Sequence, residues 1–226
     1  AHAFAVFNLK SFFHDKNRKD FCLKTFSLNE KKTRYIYQLS NYYYMRIAIS
    51  GKAGSGKSTV AKLLSNKLKL RHYSIGDLMR AMAIEKGMTL LELNKIAEND
   101  KSIDLELDNK LKELGKTKDN FVVDGRLTAF FIPNAEVRVF LKTNDKVRAQ
   151  RILKDKGHSE RGKSLKETIA NIKKREESEK IRYKRYYGVD YTDKKLYNFV
   201  IDTTKLSPQQ VVDKIIEFVR RKQKSL

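Results

Sequence analysis

At 226 residues the chain is long enough for one well-cored domain, and a formal net charge of +22 makes polyanions its natural partners. No apolar run approaches the roughly 18 residues of a membrane span, and the N-terminus lacks the long apolar core and small-residue cleavage site of a secretory signal. A single cysteine, Cys22, excludes internal disulfides and a cysteine metal cage and suits a reducing cytoplasm, while the four histidines (His2, His14, His72, His158) show no metal-ligand spacing.

Residues 1–44 contain neither Gly nor Pro, the usual makers of turns, yet hold nearly half of the Phe and Tyr residues. The stretch "FNLKSFFHDKNRKDF" fits neither a helical nor a strand period. This segment is expected to be a non-globular or non-native extension, with Met45, the first methionine, as the authentic start. The alternative is a basic, aromatic arm that stacks on or neutralises nucleic acid.

From Met45 the pattern changes. "RIAIS" (46–50) reads as a buried strand, and a helix follows with Val60, Leu63, Leu64 and Leu68 at one-face spacing. "HYS" (72–74) reads as a short second strand, and helices are expected at about 77–86, 89–98 and 102–114. "FVVDG" (121–125) and "VRVFL" (137–141) read as the third and fourth strands, the latter followed by a charged helix from Asp145. A long helix is expected over 164–187, a last strand at 197–202, and a final helix with Ser207 as N-cap and Pro208 at its first position. Strand alternating with helix predicts an α/β fold with a five-stranded parallel sheet covered by helices on both faces.

Between the first strand and its helix lies Gly51-Lys52-Ala53-Gly54-Ser55-Gly56-Lys57-Ser58-Thr59. Its glycines let backbone N–H groups turn toward phosphate oxygens, and the following helix adds its positive end. Lys57 would reach the β and γ phosphates, and the Ser58 hydroxyl would ligate Mg²⁺. The segment predicts a nucleoside triphosphate site.

Four further clusters bear on what accepts the phosphoryl group. Arg80, one turn into the helix after "YSIG", can grip a monophosphate, though on its own such an arginine is more often a solvated one. Asp124 ends a strand at the carboxyl edge of the sheet, where it could hold Mg²⁺ through water, with Arg126 aimed at a phosphate. Arg148 and Arg151 stand three apart, and a solvent-facing position is expected for at least one of them. Arg175, Glu179 and Arg182 form one helical stripe, in which Glu179 can hold both arginines, unless the stripe is only a solvated charge ladder.

Together, the phosphate loop, "SIGDLMR" (74–80), "DGRL" (124–127) and "REESEKIRYKRYYG" (175–188) resemble the cytidylate kinases of the archaeal type, from residue 45 to about 220. The resemblance implies a P-loop NTPase fold spanning 45–226, with a small monophosphate-binding helical excursion at about 76–116 and a mobile lid at about 155–190. It implies transfer of the ATP γ-phosphoryl group to CMP or dCMP, with Mg²⁺ as cofactor. Residues 51–59 and Arg151 would then hold ATP; Arg80, Arg126 and Arg182 the acceptor phosphate; and Lys57, Arg126, Arg175 and Arg182 would be catalytic. Ser74, Asp104 and Asp108 are candidates for reading the cytosine edge. Lys52-Ala53, Asp124 and the segment Thr128-Ala129-Phe130 depart from the family pattern.

A monophosphate acceptor is already largely dianionic near pH 7, so no general base is required and catalysis reduces to positioning and charge. A monomer is expected, with no membrane partner and no nucleic acid except through residues 1–44. Two rivals stand beside this reading. "HYSIGDLMRA" also resembles an adenylate kinase segment, and the charge and aromatic arm would suit a nucleotide-dependent RNA-binding factor.

Overall fold

The structure, a computed structural model, describes residues 45–224. The expectations placed on residues 1–44 lie outside the described residues. The chain runs β1 (Arg46–Gly51), α1 (Lys57–Leu68), β2 (Arg71–Ser74), α2 (Ile75–Glu85), α3 (Leu90–Ala97), α4 (Lys101–Thr117), β3 (Phe121–Asp124) and α5 (Thr128–Phe131). It continues through β4 (Val137–Lys142), α6 (Asp145–Lys154), α7 (Leu165–Tyr187), a 3₁₀ turn (Lys194–Leu196), β5 (Phe199–Asp202) and α8 (Pro208–Lys224). No helix among the described residues is long and apolar enough to cross a membrane.

The five strands form one parallel sheet in the order β2-β3-β1-β4-β5. β1 is central, and the alternation of its side chains divides the core in two. Ile47 and Ile49 pack with Val60 and Leu64 of α1 and with Val212, Ile215 and Val219 of α8 on one face. Ala48 packs with Leu111, Val123 and Ile132 on the other. Burial on both sides is why these strands read as unbroken apolar runs. Of the expected apolar stripe on α1, Val60 and Leu64 are buried, while Leu63 stays exposed at its flank.

Helix starts follow local side-chain chemistry. The Ser74 hydroxyl accepts the Asp77 N–H at 3.3 Å, so α2 begins two residues before the expected Asp77. Thr89 and Glu92 form a reciprocal capping box on α3, and Ser207 and Gln210 exchange equivalent bonds at the start of α8. α7 opens on Ser164, which accepts the Glu167 N–H at 3.2 Å, and stops at Gly188, whose φ of 66° ends the helix in the left-handed region. Met79, Met82, Leu93, Ala97, Ile103 and Leu107 give α2, α3 and α4 an apolar cluster of their own. The single turn α5 carries no sequence signal and was not expected. It lies under β1, where the Thr128 hydroxyl meets that of Ser50 at 2.8 Å.

Because β1 and β3 pair in parallel with Ile49 opposite Asp124, the glycine loop after β1 and the carboxylate ending β3 emerge side by side at one sheet edge. The chain continues from β1 to β2 on one side and places β4 on the other, so this edge is the crevice where open α/β sheets bind ligands.

Candidate active site

A cavity of about 640 Å³ opens at that edge. Its lining includes Gly54 to Val60 of the loop and α1, Gly76 and Arg80 of α2, Asp124 and Arg126 after β3, Arg151 of α6, and Arg175 of α7. The loop curls around the space because Gly54 and Gly56 take φ of 71° and 89°, values that side chains strain to adopt. Gly54 is also pressed against the chain: a Cβ there would lie 2.7 Å from the Arg148 carbonyl oxygen.

Lys57 is buried, and its ammonium donates to the Lys52 carbonyl at 2.9 Å across the loop. Burial pulls its pKa down to about 7, the Arg126 charge adds to this, and Asp124 and Glu179 act the other way. The Ser58 hydroxyl donates to Oδ2 of Asp124 at 2.7 Å. Its lone pairs thus remain for a cation while its proton is held.

Glu179 organises the opposite wall. Nε of Arg126 donates to its Oε2 at 2.8 Å, and Nε of Arg175 to its Oε1 at 2.7 Å. Burial alone would raise the Glu179 pKa, but the two guanidinium groups overturn that and hold it at about 2. The same contacts raise the pKa of Arg126 against its own burial. Engaging each guanidinium through Nε leaves terminal nitrogens of Arg126 available to a phosphate. Arg175 additionally donates to Glu160, whose carboxyl is held well below the usual range by His158 and Arg175 despite burial.

The expected stripe of Arg175, Glu179 and Arg182 is therefore rearranged. The second arginine on Glu179 is Arg126, not Arg182. Nε of Arg182 sits 3.0 Å from Oδ2 of Asp104 on α4, and its terminal nitrogen donates to the Asn94 carbonyl at 3.4 Å. The reason is electrostatic. Asp104 is buried and Arg182 is its ion-pair partner, while Arg126 reaches Glu179 from the turn after β3.

Of the two arginines on α6, Arg148 departs further from a solvent-facing position. Arg148 is fully buried and donates to the Ala53 carbonyl at 3.0 Å, to Asp145 at 2.6 Å and to Glu176. Glu176 also pairs with Lys52 at 2.9 Å. Arg151 donates to the Thr203 carbonyl at 2.9 Å and to the Ser55 carbonyl at 3.4 Å, so it lies against the loop at the side of the cavity. Both arginines brace the loop backbone. Arg148 is shut off from solvent, whereas Arg151 is only partly buried and borders the cavity.

Arg80 lies on the cavity wall, tied to Asp77. Ser74 has its hydroxyl committed to the start of α2 and lies outside the cavity lining, as do Asp104, Asp108 and Arg182. The Tyr187 hydroxyl donates to Asp108, whose pKa burial raises to about 6. Sequence reasoning missed Glu176, Glu160 and His72. The first two sit inside charged runs that look solvated, and the third, on β2, contacts Asp124 of the neighbouring strand with Nε2 2.8 Å from Oδ1.

The sequence model of the Cytidylate kinase-like family matches residues 46–205. This chain belongs to the cytidylate kinase-like family. A cytidylate kinase of Natronomonas pharaonis is 40% identical over 168 residues, covering 74% of this chain and 85% of the relative. One from Archaeoglobus fulgidus is 37% identical over 178 residues, covering 79% and 96% respectively. Among solved structures, a shikimate kinase of Bacteroides thetaiotaomicron superimposes with a TM-score of 0.57 at 18% identity, covering 78% of this chain and 98% of the other. A gluconokinase of Sinorhizobium meliloti does so with a TM-score of 0.55 at 14% identity, covering 81% and 95%. These two similarities speak to the fold, a P-loop kinase α/β sandwich. The family match stands against the adenylate kinase alternative.

For a member of this family, the donors beside the loop suit Mg²⁺. They are a hydroxyl and a carboxylate, oxygen only, and few enough that phosphate and water must complete the shell, as this cation prefers. Ser58 would hold the metal directly and Asp124 would hold it through water.

Proposed function

We propose that this cytidylate kinase-like enzyme transfers the γ-phosphoryl group of ATP to CMP, with dCMP as a second acceptor, giving ADP and the diphosphate. The reading rests above all on one observation. The loop with Lys57 and the two arginines fixed by Glu179 line the same cavity, so a donor and an acceptor phosphate can meet there.

The loop residues 51–59 and Arg151 form the ATP side. Arg80 and Arg126 form the acceptor side, and Arg182 joins them only by exchanging Asp104 for a phosphate. Lys57 leaves the Lys52 carbonyl for the β and γ phosphates, whose charge favours its protonated form. Ser58 and Asp124 would hold Mg²⁺, which would supply neutralisation of phosphate charge. Ser58 donates its proton to Asp124, so the hydroxyl oxygen keeps its lone pairs for the cation. The acceptor arrives as a dianion, with a second phosphate pKa of about 6, and its oxygen attacks without a base. Arg126 and Arg175 stabilise the charge that spreads over the transferring group, and Glu179 holds them in place beforehand. The segment at about 155–190, from the Asp155–Ser159 stretch of the cavity wall through α7, acts as the lid whose closure excludes water.

A bisubstrate analogue tests the geometry: cytidine and adenosine joined through five phosphates. Binding with one-to-one stoichiometry, competitive against both ATP and CMP, is expected. Competition against ATP alone would contradict the shared cavity.

A further inference from the structure

His72 lies outside the cavity lining and has no place in the scheme above, yet it touches Asp124, which does line the cavity. It sits on β2, the outer strand, opposite Val122 of β3, and its ring reaches along the sheet to Asp124. There Nε2 lies 2.8 Å from Oδ1, while Ser58 holds Oδ2 from the other side at 2.7 Å. The Asp124 carboxylate is 3% exposed, and the ring beside it 21% exposed.

We propose that His72 is a positioning residue for the metal site. Donating from Nε2, it fixes the rotation of the Asp124 carboxylate so that Oδ2 stays turned toward Ser58 and the water of a bound divalent cation. A buried carboxylate with one free oxygen would rotate to share both oxygens with Ser58 or to find solvent, and the hydroxyl would lose its orientation. Partners of this kind, outside the metal's own ligands, tune affinity without touching the ion. The assignment needs only Nε2 as donor, the role that a carboxylate oxygen 2.8 Å away demands, and it rests on the Mg²⁺-dependent reading of the site given above.

The experiment compares wild type with H72Q, H72L and H72N, each shown by thermal melting to be folded. Gln places an amide nitrogen as many bonds from Cβ as the His Nε2, whereas Leu has no donor and Asn is too short to reach Oδ1. The readout is Mn²⁺ binding, followed by electron paramagnetic resonance in the presence of a non-hydrolysable ATP analogue, alongside CMP affinity. H72L and H72N are expected to weaken Mn²⁺ binding by about 10-fold or more, the scale of such outer partners. H72Q is expected to restore most of it, and CMP affinity to stay level throughout. Unchanged Mn²⁺ binding in H72L and H72N, or equal loss in all three variants, would overturn the role of the Nε2 donor alone. Wild-type protein that binds no Mn²⁺ with the nucleotide would overturn the reading of the site itself and this role with it. Should H72L not fold, H72N against H72Q carries the same contrast.

Discussion

Arg126 and Arg175, which stand on different elements, meet on the two oxygens of one carboxylate, that of Glu179, at 2.8 and 2.7 Å. Neither guanidinium could stand in a buried wall at this density without that anion, because like charges would repel and each would lose its hydration. The carboxylate lets two cations wait at the place where phosphate charge arrives.

Substituting Glu179 should therefore cost both activity and stability. For E179A, kcat is expected to fall by about 10²–10³, the scale of a lost preorganised donor. Stability is expected to fall by about 3–5 kcal/mol, as for removal of one partner from a buried ion pair. Steady-state kinetics and denaturant unfolding check the two separately.

Acid should reveal the same group. The folded pKa of Glu179, about 2, lies below the ordinary glutamate value of 4.5. Its contribution is full above the unfolded value and lost as pH falls toward 2, because the unfolded chain binds the proton first. Unfolding midpoints measured from pH 6 to pH 2 are expected to drop over this window in wild type and to drop less in E179Q.

Asp108 should act with the opposite sign. Burial raises its folded pKa to about 6 from 3.8, and the Tyr187 contact only partly offsets this. The folded state then binds the proton more tightly, so stability from this group declines as pH rises from about 4 to about 6. D108N, which keeps an acceptor for Tyr187, is expected to flatten that decline in unfolding curves measured across the window.

The bracing of the loop predicts an effect on ATP rather than on CMP. Glu176 joins Lys52 and Arg148, and Arg148 holds the Ala53 carbonyl. R148M would strand the Ala53 carbonyl and leave Glu176 with Lys52 alone. It is expected to lower stability by about 3 kcal/mol. E176Q is expected to raise KM for ATP several-fold more than KM for CMP, as seen in initial-rate measurements with either substrate varied.

How far the sequence announced this arrangement depended on how local each signal was. The phosphate loop, its strand and its helix were legible because φ-permissive glycines, a buried apolar run and a helix start are all encoded within a dozen residues. Helix ends were legible where a cap was written in the sequence, as at Ser207 and Gly188, and slipped where the cap lay inside a strand, as at Ser74. The sheet order and the cavity needed contacts between residues some 50 to 100 positions apart. Glu179 could be recognised as an arginine partner from its own helix, but its second partner, Arg126, comes from another element. His72 was invisible for the same reason, since nothing on β2 itself says that a carboxylate waits on β3. Arg148 looked solvated because its helix is charged throughout, and only the fold shows that one face of that helix is pressed against the loop.

The transfer reaction itself gives the most direct test. The enzyme is incubated with ATP, Mg²⁺ and, in turn, CMP, dCMP, UMP, AMP and GMP, and ADP release is followed together with the diphosphate product. CMP and dCMP are expected to be phosphorylated with far higher kcat/KM than the others, with little ADP released when no acceptor is present. Preference for AMP, or ATP hydrolysis that ignores the acceptor, would contradict the assignment.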